Sequence, residues 1–147
     1  MTIISGPDVK KGTVDDIGSQ TDIFKTFLSL ANIKSKFSSI DSFDLSETIR
    51  KGKPSKRKFI PYFVGSELRA FRYKNHKIHF ITQGAYNMPP LRELHEKPLL
   101  YDLSKDIGES QDLSEIDNKT LEIIIKESEL FKKDLIIRKS IVDVQFQ

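Results

Sequence analysis

Hydrophobic residues follow a helical period in the N-terminal third of the chain. Between Asp15 and Ile33 they recur at steps of three and four residues, which predicts an amphipathic helix over about Thr21 to Asn32. Asn32 is expected to end this helix in a left-handed conformation, because asparagine tolerates a positive φ better than most residues. The candidates for its N-cap are Ser19, Thr21 and Asp22.

The period changes to two at Phe59, and this alternation predicts β-strands. Short turns separate the strands, and Asn75-His76 is expected to form a two-residue hairpin turn. One longer loop, from about Gln83 to Glu96, interrupts the series, and Pro61 favours an edge position for the first strand. The predicted strands are Ile60–Val64, Glu67–Tyr73, Lys77–Thr82 and Pro98–Leu103.

A turn and a second amphipathic helix follow the last of these strands. Ser104 to Glu109 contains several turn-forming residues, and Gly108 is the position best suited to a positive φ. The helix is expected to begin after a cap at Asp117 or Asn118, and the alternating residues 140–146 form either a short last strand or a disordered tail. The predicted buried stripe of the helix is Leu121, Ile124, Ile125, Ser128, Phe131 and Leu135.

These elements predict an α+β fold. About four antiparallel strands form one sheet, a long C-terminal helix packs on one face, and an N-terminal helix precedes them. A chain of 147 residues is expected to be one domain. Its predicted parts are a helix and loops over 1–58, the sheet over 59–103, the C-terminal helix over 115–137, and a tail or short strand over 138–147.

The composition limits the classes of function. Hydrophobic residues make up 37% and charged residues 31%, and no apolar run approaches the length of about 20 residues that spans a bilayer. The chain does not begin like a signal peptide. It contains no cysteine, which excludes a cysteine nucleophile and a thiolate metal site. No metal site is predicted from the three histidines either, because none of them is spaced by four residues on a helix.

Basic residues are concentrated between the first helix and the sheet, although the net charge is only +3. Such a run is either a solvated loop, which is the preferred interpretation, or a patch that binds a polyanion. Aromatic residues do not interrupt it, so nucleic acid is not expected as a partner. The six cations of this basic run are Arg50, Lys51, Lys53, Lys56, Arg57 and Lys58.

Four segments resemble the C-terminal subdomain of the arylsulfatase-type sulfatases. Lys97 to Glu109 is similar to that family's "LYDLSKDPGE" segment, with Ile107 at the usual proline. Tyr73 to Gly84 resembles "GxYKxHFFTQG", Asp22 to Ala31 resembles a helix of the family, and Asp41 to Ser46 resembles its "DGxDLSP" turn. The resemblance implies the same small antiparallel sheet backed by a long helix.

The resemblance also implies that the catalytic half of the enzyme is missing from this chain. Sulfatases hydrolyse sulfate esters with a formylglycine made from a Cys/Ser-x-Pro-x-Arg motif and with a calcium ion. Neither that motif nor the calcium ligands occur here, so no catalytic residue is assigned and no cofactor is expected in this chain. The expected partner is the missing N-terminal sulfatase domain, with a sulfate-ester substrate only in the full enzyme. Parent enzymes are often exported, but the location of this protein is not assigned, and no membrane partner is expected.

A substrate rim is implied by the same resemblance, because the family's loop after the "HFFTQG" strand reaches the mouth of the active site. The rim residues carried over are Gln83, Tyr86 and Asn87, with Asn87 at the position of a substrate-facing histidine in some members. The alternative to a part of a sulfatase is a stand-alone interaction or polyanion-binding module derived from a sulfatase domain.

Overall fold

The structure is a computed structural model that describes residues 2–34 and 41–136. The described residues fall into two compact units with the boundary between Ile60 and Pro61. The N-terminal unit contains two short helices, and the C-terminal unit contains most of a sheet and one long helix. The predicted α+β class, with one four-stranded antiparallel sheet, an N-terminal helix and a C-terminal helix, is confirmed.

The N-terminal unit contains helix α1 (Asp22–Leu30) and helix α2 (Ser46–Lys51). Helix α1 lies where the hydrophobic period predicted it but ends two residues earlier, at the C-cap Ala31. Asn32 has the expected left-handed backbone, with a φ of 57°. Gly52 ends α2 in the same left-handed region, with a φ of 66°, which glycine adopts without a steric penalty.

Helix α1 buries its polar side, whereas an amphipathic helix normally buries its hydrophobic side. Asp22 is 1% exposed and Thr26 is 3% exposed, whereas Ile23 and Phe27 lie in solvent. The polar side is held by hydrogen bonds to the segment before α2. The Thr26 hydroxyl accepts from the Leu45 amide at 3.0 Å, and the Ser29 and Ser46 hydroxyls lie 3.1 Å apart.

A buried ion pair fixes the end of this unit. Arg57 donates through Nε and Nη2 to the two carboxylate oxygens of Asp22, at 2.7 and 2.6 Å. The same carboxylate accepts backbone amides from Ser19 and Phe43 at 2.8 and 2.7 Å. The guanidinium also lies over the Phe43 ring, 4.6 Å from its centroid. Burial of Asp22 is therefore offset by four charge-assisted hydrogen bonds.

The sheet has the order β1-β2-β3-β4, with neighbours in sequence adjacent in space. The hairpin between β2 and β3 turns one residue earlier than predicted. Tyr73 pairs with His76, so the two-residue turn is Lys74-Asn75, and Lys74 rather than His76 takes a positive φ, of 53°. The strands are β1 (Phe59–Val64), β2 (Glu67–Tyr73), β3 (His76–Thr82) and β4 (Glu93–Asp102).

Strand β4 is longer than expected, and the long loop before it is correspondingly shorter. It was predicted to begin at Pro98, where the long loop was expected to end, but it begins at Glu93. The pairing with β3 shifts between His79 and Ile81, which inserts a bulge into β4 and accommodates the proline there. The pairs on either side of the shift are His79 with Leu99 and Ile81 with Leu94.

Helix α3 (Asn118–Asp134) packs on one face of the sheet and forms the core with it. Asp117 is its N-cap as predicted, and its carboxylate accepts the Thr120 amide at 3.0 Å. The side chain of Phe131 stacks against Phe71 with ring centroids 5.8 Å apart. The most deeply buried apolar side chains of the unit are Phe71, Ile78, Leu100, Leu121 and Ile124.

The last predicted segment, 138–147, lies outside the described residues, so the alternatives of a strand and a tail remain predictions. None of the helices in the described part of the chain is long and apolar enough to cross a membrane.

Candidate functional site

The predicted rim residues lie in a short closed loop between β3 and β4. The Gly84 amide donates to the Pro90 carbonyl oxygen at 2.7 Å, which joins the two ends of the loop. A side chain at Gly84 would clash with the carbonyl oxygens of Met88 and Pro89, so only glycine fits at this position. The Pro89–Pro90 peptide bond is cis. The hydrogen bond and the close approach at Gly84 give this loop a defined conformation.

Tyr86 projects from the tip of this loop. It is 98% exposed and has a φ of 53°, a left-handed conformation that is uncommon for a bulky residue. Asn87 closes the same turn, Ala85–Asn87, and only its backbone is described. An aromatic ring held at the tip of a closed loop makes no contribution to the core and is available to contact another molecule.

A network of charged side chains lies at the base of the loop, and the sequence-based interpretation missed it. Gln83 Oε1 accepts from Arg69 Nη1 at 2.9 Å. Arg69 Nε lies 2.6 Å from one oxygen of Glu67, and Arg92 Nη2 donates to the other oxygen at 2.6 Å. The hydrogen bond from Arg92, together with the charge of Arg69, lowers the pKa of the Glu67 carboxyl. The i, i+2 spacing of Glu67 and Arg69 on one strand was the available signal.

A second polar cluster connects β3 to the turn after β4. Glu109 accepts from Lys77 Nζ and from His79 Nε2, each at 2.6 Å. Because an ionised carboxylate only accepts hydrogen bonds, the proton of neutral His79 lies on Nε2. The His79 ring also meets the Tyr101 ring edge-on, with centroids 5.6 Å apart. Glu109 therefore attaches the turn to the sheet, and it takes the positive φ, of 55°, that was predicted for Gly108.

Burial and the charges within this cluster together set the pKa values of its members. Burial, helped by the nearby Lys77 charge, lowers the pKa of His79 and favours its neutral form. Burial alone would raise the pKa of the Glu109 carboxyl, but the hydrogen bond and charge of Lys77, with the contact to His79, lower it. Burial raises the pKa of Tyr101, and Asp112 adds to that effect. The cluster therefore has a structural role, which is to attach the turn after β4 to strand β3.

The carboxylates of Asp102 and Asp106 cap the turn after β4. The Ser104 hydroxyl and amide donate to Asp102 and lower its pKa to about 2. Asp106 accepts from the amides of Ser110 and Gln111 at 2.7 and 2.8 Å. Both carboxylates therefore have a turn-capping role.

The basic run divides into exposed and buried members. Arg57 is 6% exposed and bound to Asp22, so it is not available to a polyanion. Lys51 and Lys53 are exposed, but both pair with Glu47 at 3.0 Å. The remaining exposed cations of the run are Arg50, Lys56 and Lys58.

The described residues do not fit the calcium ion or the formylglycine of the sulfatases. Residues 2–34 and 41–136 contain no group of three His, Asp or Glu side chains placed to hold a metal ion. The sequence has no cysteine and no Ser-x-Pro-x-Arg motif to serve as a precursor of formylglycine. The two clusters described above supply hydrogen-bond donors and an aromatic face, which are binding and positioning groups.

The fold places the chain in a structural class. A Pseudoalteromonas protein, the PsFucS1 sulfatase, superposes with a TM-score of 0.64 at 19% identity over 76% of this chain and 25% of its own length. A Bacteroides thetaiotaomicron protein, described in connection with the metabolism of multiple glycosaminoglycans, superposes with a TM-score of 0.66 at 22% identity, over 86% of this chain and 27% of its own. The described chain therefore has the fold of part of a sulfatase.

The sequence comparison identifies which part. A profile of the C-terminal region of aryl-sulfatase matches residues 55–145, and the chain belongs to this family. It is 30% identical over 145 residues to human arylsulfatase A and 28% identical over 142 residues to bovine arylsulfatase A. These alignments cover 86% and 84% of this chain but only 29% and 28% of the relatives. The predicted resemblance to the C-terminal subdomain of an arylsulfatase is confirmed.

Proposed function

We propose that this chain is the C-terminal part of a sulfuric ester hydrolase, where it completes the fold and borders the substrate entrance. The main support is the family match over residues 55–145. The chain also spans less than a third of the length of the curated relatives that it matches. The formylglycine and the calcium ion of the enzyme belong to the region that these relatives have in addition. The N-terminal sulfatase domain is therefore its partner, and the chain alone is not catalytic.

The assay of the purified chain tests the non-catalytic role. It is incubated with 4-nitrophenyl sulfate and calcium chloride, and release of nitrophenolate is followed against a buffer blank and against intact human arylsulfatase A. We expect no turnover above the blank. Calcium-dependent turnover that persists through a second, orthogonal purification step would refute the proposal.

The rim role is assigned to Gln83, Tyr86 and Asn87. Tyr86 supports it, because its ring is almost fully exposed at the tip of a loop whose backbone is closed by Gly84 and Pro90. An aromatic ring in this setting provides a flat apolar face for a ring of a sulfate-ester substrate. The Gln83 carboxamide is positioned by Arg69 and offers a hydrogen-bond group beside it.

A chimera tests the rim, with this chain replacing the aligned C-terminal segment of human arylsulfatase A. In the chimera, Tyr86→Ala is expected to raise KM about 3- to 10-fold and leave kcat unchanged, because the ring would contribute to binding rather than to chemistry. Leu91→Ala is the matched control, since Leu91 is 78% exposed and not part of the rim. Equal kinetics of the two variants would contradict the assignment.

The alternative function is a stand-alone interaction or polyanion-binding module. The exposure of Arg50, Lys56 and Lys58 favours it, but the pairing of Lys51 and Lys53 with Glu47 and the burial of Arg57 reduce the free positive charge. Retention on heparin measures it directly. A salt-dependent elution that shifts to low salt when Lys56 and Lys58 are changed to glutamine would favour this function.

A further inference from the structure

Helix α1 is folded with its hydrophobic side outward. Its inner side is polar, and the hydrogen bonds described for its side chains are made there, to Ser19, to the segment 41–46 and to Arg57. At 100° per residue, Asp22, Thr26 and Ser29 fall within one narrow sector, which is the buried one. The hydrogen-bonded side fixes the orientation of the helix about its axis, so the apolar side cannot turn inward.

The outer side of α1 is a continuous apolar stripe without a charged residue. Ile23 is 44% exposed and Phe27 is 59% exposed, and these two residues lie one turn apart on the helix. Amphipathic helices normally bury this side, and a contiguous exposed apolar stripe marks a surface that binds another structure. The stripe is formed by the exposed residues Ile23, Phe27 and Ala31 and the half-buried residues Leu28 and Leu30.

The comparisons indicate what covers the stripe. Helix α1 precedes residues 55–145, so it is not part of the matched C-terminal region. A contiguous alignment that covers 86% of the chain nevertheless includes α1, whichever end it leaves out. Human arylsulfatase A thus has a segment that corresponds to α1, and further sequence of the enzyme precedes it. This chain corresponds to only 29% of that enzyme.

We propose that the apolar stripe of α1 is a docking surface for the catalytic region of the sulfatase, the larger part that precedes it in the relatives. The occupant is an apolar layer of that region, since the stripe offers no charge to pair and no unsatisfied polar group of its own. This inference rests on the proposed function. Helix α1 would then be shared between the two parts: its polar side faces the chain described here, and its apolar side faces the catalytic region.

The docking is tested with one substitution that should leave the unfolding temperature of the chain alone unchanged and lower that of the chimera. Phe27→Glu is introduced into the chain alone and into the chimera with human arylsulfatase A, and the unfolding temperature of each is measured. In the chain alone we expect a shift within about 1 °C, because Phe27 is in solvent there. In the chimera we expect a loss of about 5 °C or more, because the charge would be buried in an apolar interface. The matched control is Ile107→Glu, an 80% exposed residue outside the stripe, which should be silent in both.

Other outcomes would overturn the docking surface. A large loss in the chain alone would mean that the chain itself covers the stripe. Dimers of the chain in sedimentation velocity that Phe27→Glu converts to monomers would identify a second copy as the occupant. Equal unfolding temperatures of the chimera and its variant would mean that nothing covers the stripe.

A dye-binding measurement keeps the proposal falsifiable if the chimera does not fold. The isolated chain should bind the fluorescent dye ANS, and the double variant Ile23→Glu, Phe27→Glu should lose most of that signal. An unchanged signal would refute an exposed stripe. Turnover of the chimera is recorded separately, because a chimera that is sensitive to Phe27→Glu but inactive would refute the proposed function and leave the docking surface intact.

Discussion

Helices α1 and α3 have the same kind of amphipathic sequence but bury opposite sides. In α3, Leu121 and Ile124 are 3% and 1% exposed and pack against the sheet. In α1, Asp22 and Thr26 are the buried residues, and the apolar stripe faces solvent. Helix α3 packs its hydrophobic side against the sheet, whereas the hydrogen bonds described for the side chains of α1 are all made by its polar side.

Hydrophobic periodicity thus predicts a helix but does not identify the structure that covers its apolar side. Burial of apolar surface is the dominant favourable term in folding, so an exposed apolar stripe is costly unless another structure supplies the complement. The deeply buried ion pair between Asp22 and Arg57 holds α1 in this orientation. Substitutions in the two helices test this contrast, from the largest expected effect to the smallest.

Loss of the Asp22 carboxylate should have the largest effect. Asp22→Ala leaves the Arg57 charge buried without its partner, which is expected to lower the free energy of unfolding by about 3–5 kcal/mol. Urea denaturation followed by circular dichroism measures it. Glu47→Ala is the control, because the Glu47 ion pairs with Lys51 and Lys53 are exposed and should matter little. Equal effects of the two variants would contradict the role given to the buried pair.

Truncation of one apolar residue in each helix compares the two sides directly. Ile124→Ala removes a side chain from the core and should cost about 2–5 kcal/mol. Phe27→Ala removes a larger side chain from the exposed stripe and should change the free energy of unfolding by less than about 0.5 kcal/mol. The same denaturation experiment serves both, and a Phe27→Ala cost close to that of Ile124→Ala would show that the chain covers its own stripe.

The N-caps of the two helices also differ, because only the N-cap of α3 bonds to its helix through its side chain. Asp117 accepts the Thr120 amide, whereas the N-cap residue of α1, Thr21, makes no side-chain bond to its helix. Asp117→Ala should therefore lower the unfolding temperature by a few degrees, and Thr21→Ala should lower it less. Thermal unfolding by circular dichroism gives both values, and the reverse order would contradict the capping geometry.

As the pH decreases from neutral, we expect the first loss of stability to come from His79 in the C-terminal unit. The pKa of His79 is lower in the folded chain than its ordinary value of 6.5, so the unfolded chain binds more protons between the two values. Stability is therefore expected to fall as the pH decreases below about 6.5. The Asp22 pKa is lowered from 3.8 despite its burial, because Arg57 and two backbone amides stabilise the charge, so its contribution is present above 3.8 and is lost only as the pH falls below that value.

Denaturation at pH 7 and pH 5 measures the contribution of His79. His79→Gln should reduce the difference between the two pH values, while Asp22→Asn should leave that difference unchanged. A steeper dependence in the His79 variant would contradict the lowered pKa.

Much of the fold followed from local patterns, and the differences have physical causes. Strand β2, Glu67–Tyr73, has the predicted bounds, although its neighbouring residues Ala70 and Phe71 are both buried. Strand β4 was underestimated because its bulge places Pro98 inside a strand, which a regular ladder does not allow. The left-handed residue of the following turn is Glu109 rather than Gly108, since its contacts to Lys77 and His79 outweigh the preference of glycine.

The candidate site was less accessible from sequence than the fold. The rim loop could be placed through the family resemblance, but its closure by Gly84 and Pro90 depends on contacts that no spacing reveals. The basic run looked uniform in sequence, and only the ion pair with Asp22, 35 residues away along the chain, separates Arg57 from its neighbours. Long-range partners of this kind have no local signal.

Turnover of 4-nitrophenyl sulfate in three proteins compared side by side tests the account most directly. The three are this chain, human arylsulfatase A truncated before the aligned segment, and the chimera that joins them. We expect turnover above the blank in the chimera and none in either part alone. Turnover by this chain alone, or a chimera no more active than the truncated enzyme, would contradict it.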